Sequence, residues 1–149
     1  MNAKQYLLRA RKIDEEIDGL VQTIFETKDR LTKVTQSFDG DGAQSTKDPH
    51  KFDSLVELED LCNRRIDELV SVKNETLRVI GLINDRRIRE ILKCYYVDGL
   101  TWERVCVAVH YSWKQTHRLH KRGLQETEKI LAAILEDPQK ATLNDTHIM

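Results

Sequence analysis

The sequence predicts an all-α protein in which a long N-terminal antiparallel helical hairpin, of coiled-coil type, precedes a smaller helical module. Apolar residues recur in alternating steps of four and three along the first third of the chain, which is typical of a helix that packs against a partner helix. Only two prolines and six glycines occur among the 149 residues. Charged residues make up 33% of the chain and aromatic residues 6%, a composition typical of helical proteins with much exposed surface.

The first predicted helix covers residues 3–38. It is defined by one narrow apolar stripe, formed by Tyr6, Ala10, Ile13, Ile17, Leu20, Ile24, Thr27, Leu31, Val34 and Phe38. Charged residues fill many of the other positions, so the helix offers a single apolar side. Such a stripe needs a partner helix along its whole length.

A polar, glycine-containing segment over residues 39–48 predicts the loop of the hairpin. Asp48 and Pro49 then suit the start of a second helix over residues 49–84, because Asp caps a helix and Pro is tolerated in its first turn. This helix has a broader apolar surface than the first. Within the hairpin domain, residues 1–84, we therefore expect it to bury a further surface as well: the C-terminal module, a second copy of the chain, or another protein.

Residues 85–136 predict a compact module in which two short helices are joined by a tight turn. Asp98-Gly99 is a turn signal, because glycine accepts a positive φ at low cost. Thr101 and Ser112 are each suited to cap a helix N-terminus. Two helix starts so close together predict a helix-turn-helix unit.

The last helix of this module is expected to turn Thr116, Leu119 and Leu124 towards the core, since they share one side of the helix. Its end is predicted near Glu136. Residues 137–149 are polar and without periodicity, so we expect a flexible tail.

The charge of the chain is unevenly distributed. The net charge is −1, yet residues 85–124 contain nine Lys or Arg and four Asp or Glu, while the remainder contains fifteen and twenty-one. The last helix carries four Lys or Arg and no acid between Ser112 and Arg122. A helix of this kind is suited to face the phosphates of DNA.

We predict that one face of this helix enters the major groove of double-stranded DNA. The candidate DNA-binding residues on the helix are Ser112, Trp113, Lys114, Gln115, His117, Arg118, Lys121 and Arg122. Arg and Lys donate to guanine edges or phosphates, His donates or accepts, and Trp packs against a thymine methyl group or the sugar-phosphate wall. Arg86 and Arg87 are expected to hold the DNA backbone. The alternative interpretation is that these charges form only a solvated helix face.

No catalytic, cofactor or metal site is predicted. Cys106, His110, His117 and His120 lack the spacing of a zinc finger, and no carboxylate pairs with a nucleophile or a histidine at catalytic spacing. The three cysteines are scattered, which suits a reducing compartment. We see no signal peptide and no membrane span, and we expect a cytoplasmic protein without a membrane partner.

The module resembles region four of bacterial sigma factors. The resemblance is carried by Tyr95-Tyr96-Val97-Asp98-Gly99-Leu100-Thr101-Trp102-Glu103, by Val105-Cys106, and by the run from Ser112 to Lys121-Arg122-Gly123-Leu124. The N-terminal run from Lys4 to Ile17 looks like that of small phage and prophage proteins of Gram-positive bacteria. These proteins are similar in layout to the RinA and ArpU late-gene regulators.

The resemblance implies a sequence-specific DNA-binding transcription regulator of phage or prophage origin, associated with the nucleoid of a bacterial host. It would control late genes through promoter DNA, host RNA polymerase, or both, and we expect the hairpin to form a homodimer or to contact the polymerase. The chain departs from the family at Cys106, His110 and Thr116, where the family favours Ala, Gly, and Val or Ile. A histidine at positive φ costs about 1 kcal/mol, and an inward threonine needs a backbone acceptor.

Two other functions stay open at this point. The first is DNA packaging, because small terminase subunits also join a DNA-binding helical module to coiled helices. These subunits assemble into rings. A closed ring would therefore favour packaging, and a monomer or dimer would favour regulation. The second is a coiled-coil interaction protein that does not bind DNA.

Overall fold

The computed structural model describes residues 1–37 and 50–137. Within these residues the chain is all-helical and contains no strand. This confirms the predicted all-α class. The predicted loop over residues 39–48 and nearly all of the predicted tail lie outside the described residues.

The helices follow one another with short connections. In chain order they are α1 (Ala3–Arg11), α2 (Ile13–Ser37), α3 (His50–Gly81), α4 (Arg86–Leu92), α5 (Trp102–Val109) and α6 (Trp113–Glu136). A π-helical segment, Lys93–Val97, continues directly from α4.

The long helix predicted over residues 3–38 is interrupted, which corrects the prediction. Lys12 separates α1 from α2, with φ −106° and ψ 8° outside the helical range. The guanidinium of Arg11, at the end of α1, donates to the carbonyl oxygens of Tyr95 at 2.6 Å and Leu100 at 3.0 Å. These bonds attach α1 to the C-terminal module.

Two compact units divide the described chain, and α1 belongs with the C-terminal helices. One unit, the packed unit, comprises Met1–Lys12 and the described residues from Val72 onward, and the other, the two-helix unit, comprises Ile13–Ser71. The predicted hairpin domain covers residues 1–84, whereas the two-helix unit begins at Ile13 and ends at Ser71.

The packed unit has a continuous apolar core. Its most deeply buried large apolar side chains are Leu7, Ile88, Ile91, Leu92, Tyr96 and Val105. Helix α4 approaches α6 closely at Gly123, where an added Cβ atom would lie 2.9 Å from Cγ2 of Ile88. Glycine is therefore required here to let the two helices meet.

The two-helix unit consists of α2 and the first part of α3, and its apolar stripe follows the predicted spacing. Ile13 is buried, and the predicted positions from Ile17 to Leu31 are half-buried while the residues between them are exposed. Glu16 pairs with Arg65 at 2.9 Å and Lys28 pairs with Glu59 at 2.7 Å. The α3 partner moves back along the chain as the α2 partner moves forward.

Candidate nucleic-acid interface

The connection from the π-helical segment into α5 is built from a glycine turn and a side-chain cap. Gly99 has φ 72°, a conformation that residues with a Cβ atom rarely adopt. Thr101 is the N-cap of α5, and its Oγ1 accepts a hydrogen bond from the backbone N–H of Arg104 at 3.3 Å. The turn and the cap predicted from the sequence are both present.

The connection from α5 to α6 is tighter and carries strain. His110 ends α5 in the left-handed conformation, with φ 60° and ψ 36°, which residues with a Cβ atom rarely adopt. Two residues later Ser112 caps α6, its Oγ accepting from the backbone N–H of Gln115 at 3.2 Å. The hydroxyl of Ser112 therefore holds the helix start.

Helix α6 has a buried side and an exposed side, as its sequence predicts. Thr116 and Leu119 are buried, and Leu124 is partly buried against the core. The exposed side of α6, which we call the α6 outer face, is formed by Trp113, Lys114, Gln115, Arg118, Lys121 and Arg122. The helix thus directs its cations away from the packed unit.

The cations of the α6 outer face differ from those of α4 in their partners. On the α6 outer face there are four cations, Lys114, Arg118, Lys121 and Arg122. None of them forms an ion pair within the part of the chain that the structure describes. On α4, Arg86 pairs with Glu90 at 3.2 Å and Arg87 pairs with Asp85 at 3.0 Å. The hydrogen bond from Arg87 is also the main reason why the pKa of Asp85 is lowered. The α6 cations are therefore available to an anionic partner, whereas those of α4 must first leave an internal carboxylate.

His117 lies at the edge of the α6 outer face. Its ring is half-buried, with its centroid 4.7 Å from that of Trp102 and 4.4 Å from that of Trp113. Its Nε2 is buried and has no hydrogen-bond partner among the described residues. Trp113 itself is 55% exposed. The His117 ring therefore lies between the indole of Trp102 and the exposed indole of Trp113 and packs against both.

Beneath the interface lies a cluster of aromatic rings that fixes α5 and α6 to the π-helical segment. Tyr95 stacks on Trp102 with ring centroids 3.9 Å apart, and Trp102 meets His120 edge-on at 4.5 Å. The Tyr96 hydroxyl and Nε2 of His120 form a hydrogen bond of 2.7 Å. Burial, helped by nearby His117 and Lys4, lowers the pKa of His120 to about 4, so its ring is neutral at pH 7.

Sequence reasoning missed the contribution of α1 to this region. Besides its two carbonyl bonds, the guanidinium of Arg11 lies 3.8 Å above the ring of Tyr95. The side chain of Glu128 accepts from the backbone N–H of Ala3 at 2.8 Å. Ala3 and Leu7 are buried, lie four residues apart and are not part of the predicted stripe, and this additional apolar side is the signal that distinguishes α1 from α2.

Other kinds of site receive no support from the described residues. Over residues 1–37 and 50–137, no group of three His, Cys, Asp or Glu side chains is arranged to hold a metal ion. In the same residues, every helix is too short or too polar to cross a bilayer. Comparison with protein-family models, curated proteins and solved structures finds no significant match to this chain.

Proposed function

We propose that this protein is a sequence-specific DNA-binding transcription regulator of phage or prophage origin, in which α5 and α6 act as a helix-turn-helix. One observation carries the proposal. Lys114, Arg118, Lys121 and Arg122 are exposed on the outer face of one capped helix and lack internal ion-pair partners among the described residues. An exposed row of unpaired cations on a helix is suited to the phosphates and base edges of a major groove.

The residues of the α6 outer face take different roles in this proposal. Arg118 and Lys114 lie near the helix start and donate to guanine edges, because the N-terminal residues of a recognition helix reach the bases. Lys121 and Arg122 lie further along the helix and bind phosphates. Trp113 packs against a thymine methyl group or the sugar wall. Ser112 and His117 position these groups, with the Ser112 hydroxyl on the helix cap and the His117 ring against Trp113.

Arg86 and Arg87 are proposed as further phosphate contacts. Each now pairs with an exposed or partly exposed carboxylate, and such surface pairs contribute only about 0–1 kcal/mol. A DNA phosphate can therefore replace the carboxylate at little cost. The resemblance of the module to region four of sigma factors, together with the similarity in layout to the RinA and ArpU late-gene regulators, supports control of late genes through promoter DNA, with host RNA polymerase as a second partner.

The proposal is tested by measuring DNA affinity over a salt series. The probe is a duplex selected from a random-sequence library by the full-length protein. Each phosphate contact contributes about −0.9 to the slope of log K against log salt, so loss of a phosphate-binding cation flattens the slope by about that amount. Lys121→Ala should flatten it. Arg118→Ala should cost about 1–3 kcal/mol on the selected duplex and less on unrelated duplexes.

The matched control is Lys33→Ala, which removes one exposed positive charge from α2 instead of α6. It should leave both affinity and slope unchanged. Equal binding by the wild type and a Lys114→Ala, Arg118→Ala double variant would contradict the proposal.

One observation favours a second function, that of an interaction protein that does not bind DNA. Large apolar side chains on the two-helix unit are exposed, among them Phe25 at 66% and Leu61 at 66%. Partner binding without any DNA affinity in the full chain would support this alternative.

A further inference from the structure

The two-helix unit exposes two short rows of apolar side chains, one on each helix. On α2, Val21 is 52% exposed and Phe25 is 66% exposed. On α3, Phe52 is 59% exposed and Val56 is 55% exposed. Single exposed apolar residues are common on protein surfaces, whereas adjoining rows of them mark interaction sites.

The ion pair between Lys28 and Glu59 places both rows on the same face of the unit. Lys28 follows Val21 and Phe25 at i+7 and i+3, so the three share one side of α2. Glu59 follows Phe52 and Val56 at the same spacings, so these three share one side of α3. Because Nζ of Lys28 lies 2.7 Å from Oε1 of Glu59, the two sides adjoin. We call the four apolar residues and this ion pair the apolar face.

A second ion pair marks the opposite face. Glu16 and Arg65 are joined at 2.9 Å, and neither shares a row with Lys28 or Glu59. Leu61 precedes Arg65 by four residues and lies on that row of α3. It is 66% exposed, as Phe25 is, and therefore offers a matched reference position away from the apolar face.

We propose that a second copy of this chain covers the apolar face, so that two two-helix units form a four-helix bundle. The four apolar residues surround one positive and one negative charge, those of Lys28 and Glu59. This pattern is complementary to itself, since a two-fold axis brings Lys28 of one copy near Glu59 of the other. The charge pattern thus favours a like partner over an unlike one.

The size of the unit agrees with a dimer. Helix α2 has 25 residues and is therefore about 37 Å long, and two helices side by side are about 20 Å wide. The side of the unit that contains the apolar face then offers about 700 Å² per copy, close to the ~800 Å² per partner of a standard stable interface. A short peptide would cover only part of this side. A second pair of helices of the same length covers it.

This inference deepens the proposed function by naming the partner of the two-helix unit, but it rests on a different set of residues. Its test is sedimentation equilibrium of the full-length protein without DNA, over a concentration series. The wild type should show a reversible monomer–dimer equilibrium. Phe25→Glu should raise the dimer dissociation constant at least about tenfold, because it places a charge in the buried centre of the interface. Leu61→Glu should change it by less than about twofold.

Several outcomes separate the possibilities. A wild type that stays monomeric at all concentrations overturns the inference, and so does an equal effect of Phe25→Glu and Leu61→Glu. A closed ring of more than two copies also overturns it, because a ring does not use a two-fold face. If Phe25→Glu loses helical circular dichroism, Val56→Lys replaces it and should weaken the dimer equally.

DNA affinity is measured in parallel on the same variants. A Lys114→Ala, Arg118→Ala double variant should remain dimeric in the absence of DNA. Loss of the dimer in Phe25→Glu together with normal DNA binding by the wild type supports the inference. Failure of the wild type to bind any DNA would instead remove the proposed function and leave the dimer intact.

Discussion

The packed unit and the two-helix unit bury their apolar residues to very different extents. In the packed unit Leu7, Ile91, Leu92, Tyr96 and Val105 have 0% of their surface exposed. In the two-helix unit Leu55, Cys62 and Leu69 of α3 are buried, but the stripe residues of α2 from Ile17 to Leu31 are only half-buried. Two helices side by side cover each stripe from one direction only, so they leave more apolar surface exposed than a packed core does.

This difference separates two roles. The packed unit buries enough apolar surface to hold the α6 outer face in a fixed orientation, which binding to a groove requires. The two-helix unit leaves apolar side chains exposed, and its stability is expected to increase when a partner covers them. Substitutions should therefore change the stability of the packed unit and the association of the two-helix unit.

The largest expected effect comes from Leu7→Ala. Leu7 lies on α1 and is fully buried in the core of the packed unit, so its truncation should lower the free energy of unfolding by about 3 kcal/mol. Its neighbour Leu8 is 39% exposed, and Leu8→Ala should cost less than about 1 kcal/mol. The chain has two tryptophans, Trp102 and Trp113, and both lie in the packed unit, so tryptophan fluorescence in urea reports on that unit. Equal losses for the two variants would mean that α1 is not part of this core.

A smaller effect is expected from pH, again on the packed unit. The pKa of His120 is lowered from 6.5 to about 4, chiefly because the ring is buried. The unfolded chain therefore binds more protons than the folded chain between these values, and stability falls as pH falls through this window. The loss should approach about 2 kcal/mol by pH 4, after allowance for partial exposure of the ring.

The control for the pH effect is His120→Gln, whose amide is able to bond the Tyr96 hydroxyl but does not titrate. Tryptophan-detected unfolding of this variant should depend less on pH between 6.5 and 4 than that of the wild type. An unchanged pH dependence in His120→Gln would assign the effect to other groups.

Local features of the site follow closely from the sequence. The caps at Thr101 and Ser112 depend on side chains that bond backbone groups within three residues, and the positive φ of Gly99 depends on one residue type. The inward position of Thr116 and Leu119 follows from helical periodicity alone. Interactions of this kind are decided by neighbours in the chain, so the pattern of residues predicts them.

That α1 belongs to the packed unit did not follow from the sequence in the same way. Tyr6 and Ala10 continue the stripe of α2 in phase, so periodicity predicts one unbroken helix across Lys12. The end of α1 is held by Arg11, whose hydrogen-bond acceptors lie more than eighty residues away in the chain. The π-helical segment that carries Tyr95 and Tyr96 likewise contacts α5, where Tyr95 stacks on Trp102. Contacts between distant segments leave no periodic signal in a single sequence.

The smallest expected effect concerns a buried hydroxyl group in the packed unit that lacks a hydrogen-bond partner. Thr116 is fully buried and its Oγ1 has no hydrogen-bond partner among the described residues. The equally buried Thr127 donates from its Oγ1 to the carbonyl oxygen of Gly123 at 2.8 Å. A buried hydroxyl without a partner costs about 1–3 kcal/mol, whereas a bonded one contributes about 1 kcal/mol, so the two threonines should respond in opposite directions to the same change.

We expect Thr116→Val to raise the free energy of unfolding by about 1 kcal/mol and Thr127→Val to lower it by a similar amount, since valine keeps the shape but loses the hydroxyl. Tryptophan-detected urea unfolding measures both. A destabilised Thr116→Val would show that this hydroxyl does have a partner in solution. Because Thr116 lies on the inner side of α6, the stabilised variant should retain the DNA affinity proposed for the wild type, and a loss of affinity would mean that the hydroxyl of Thr116 serves DNA binding and not the core.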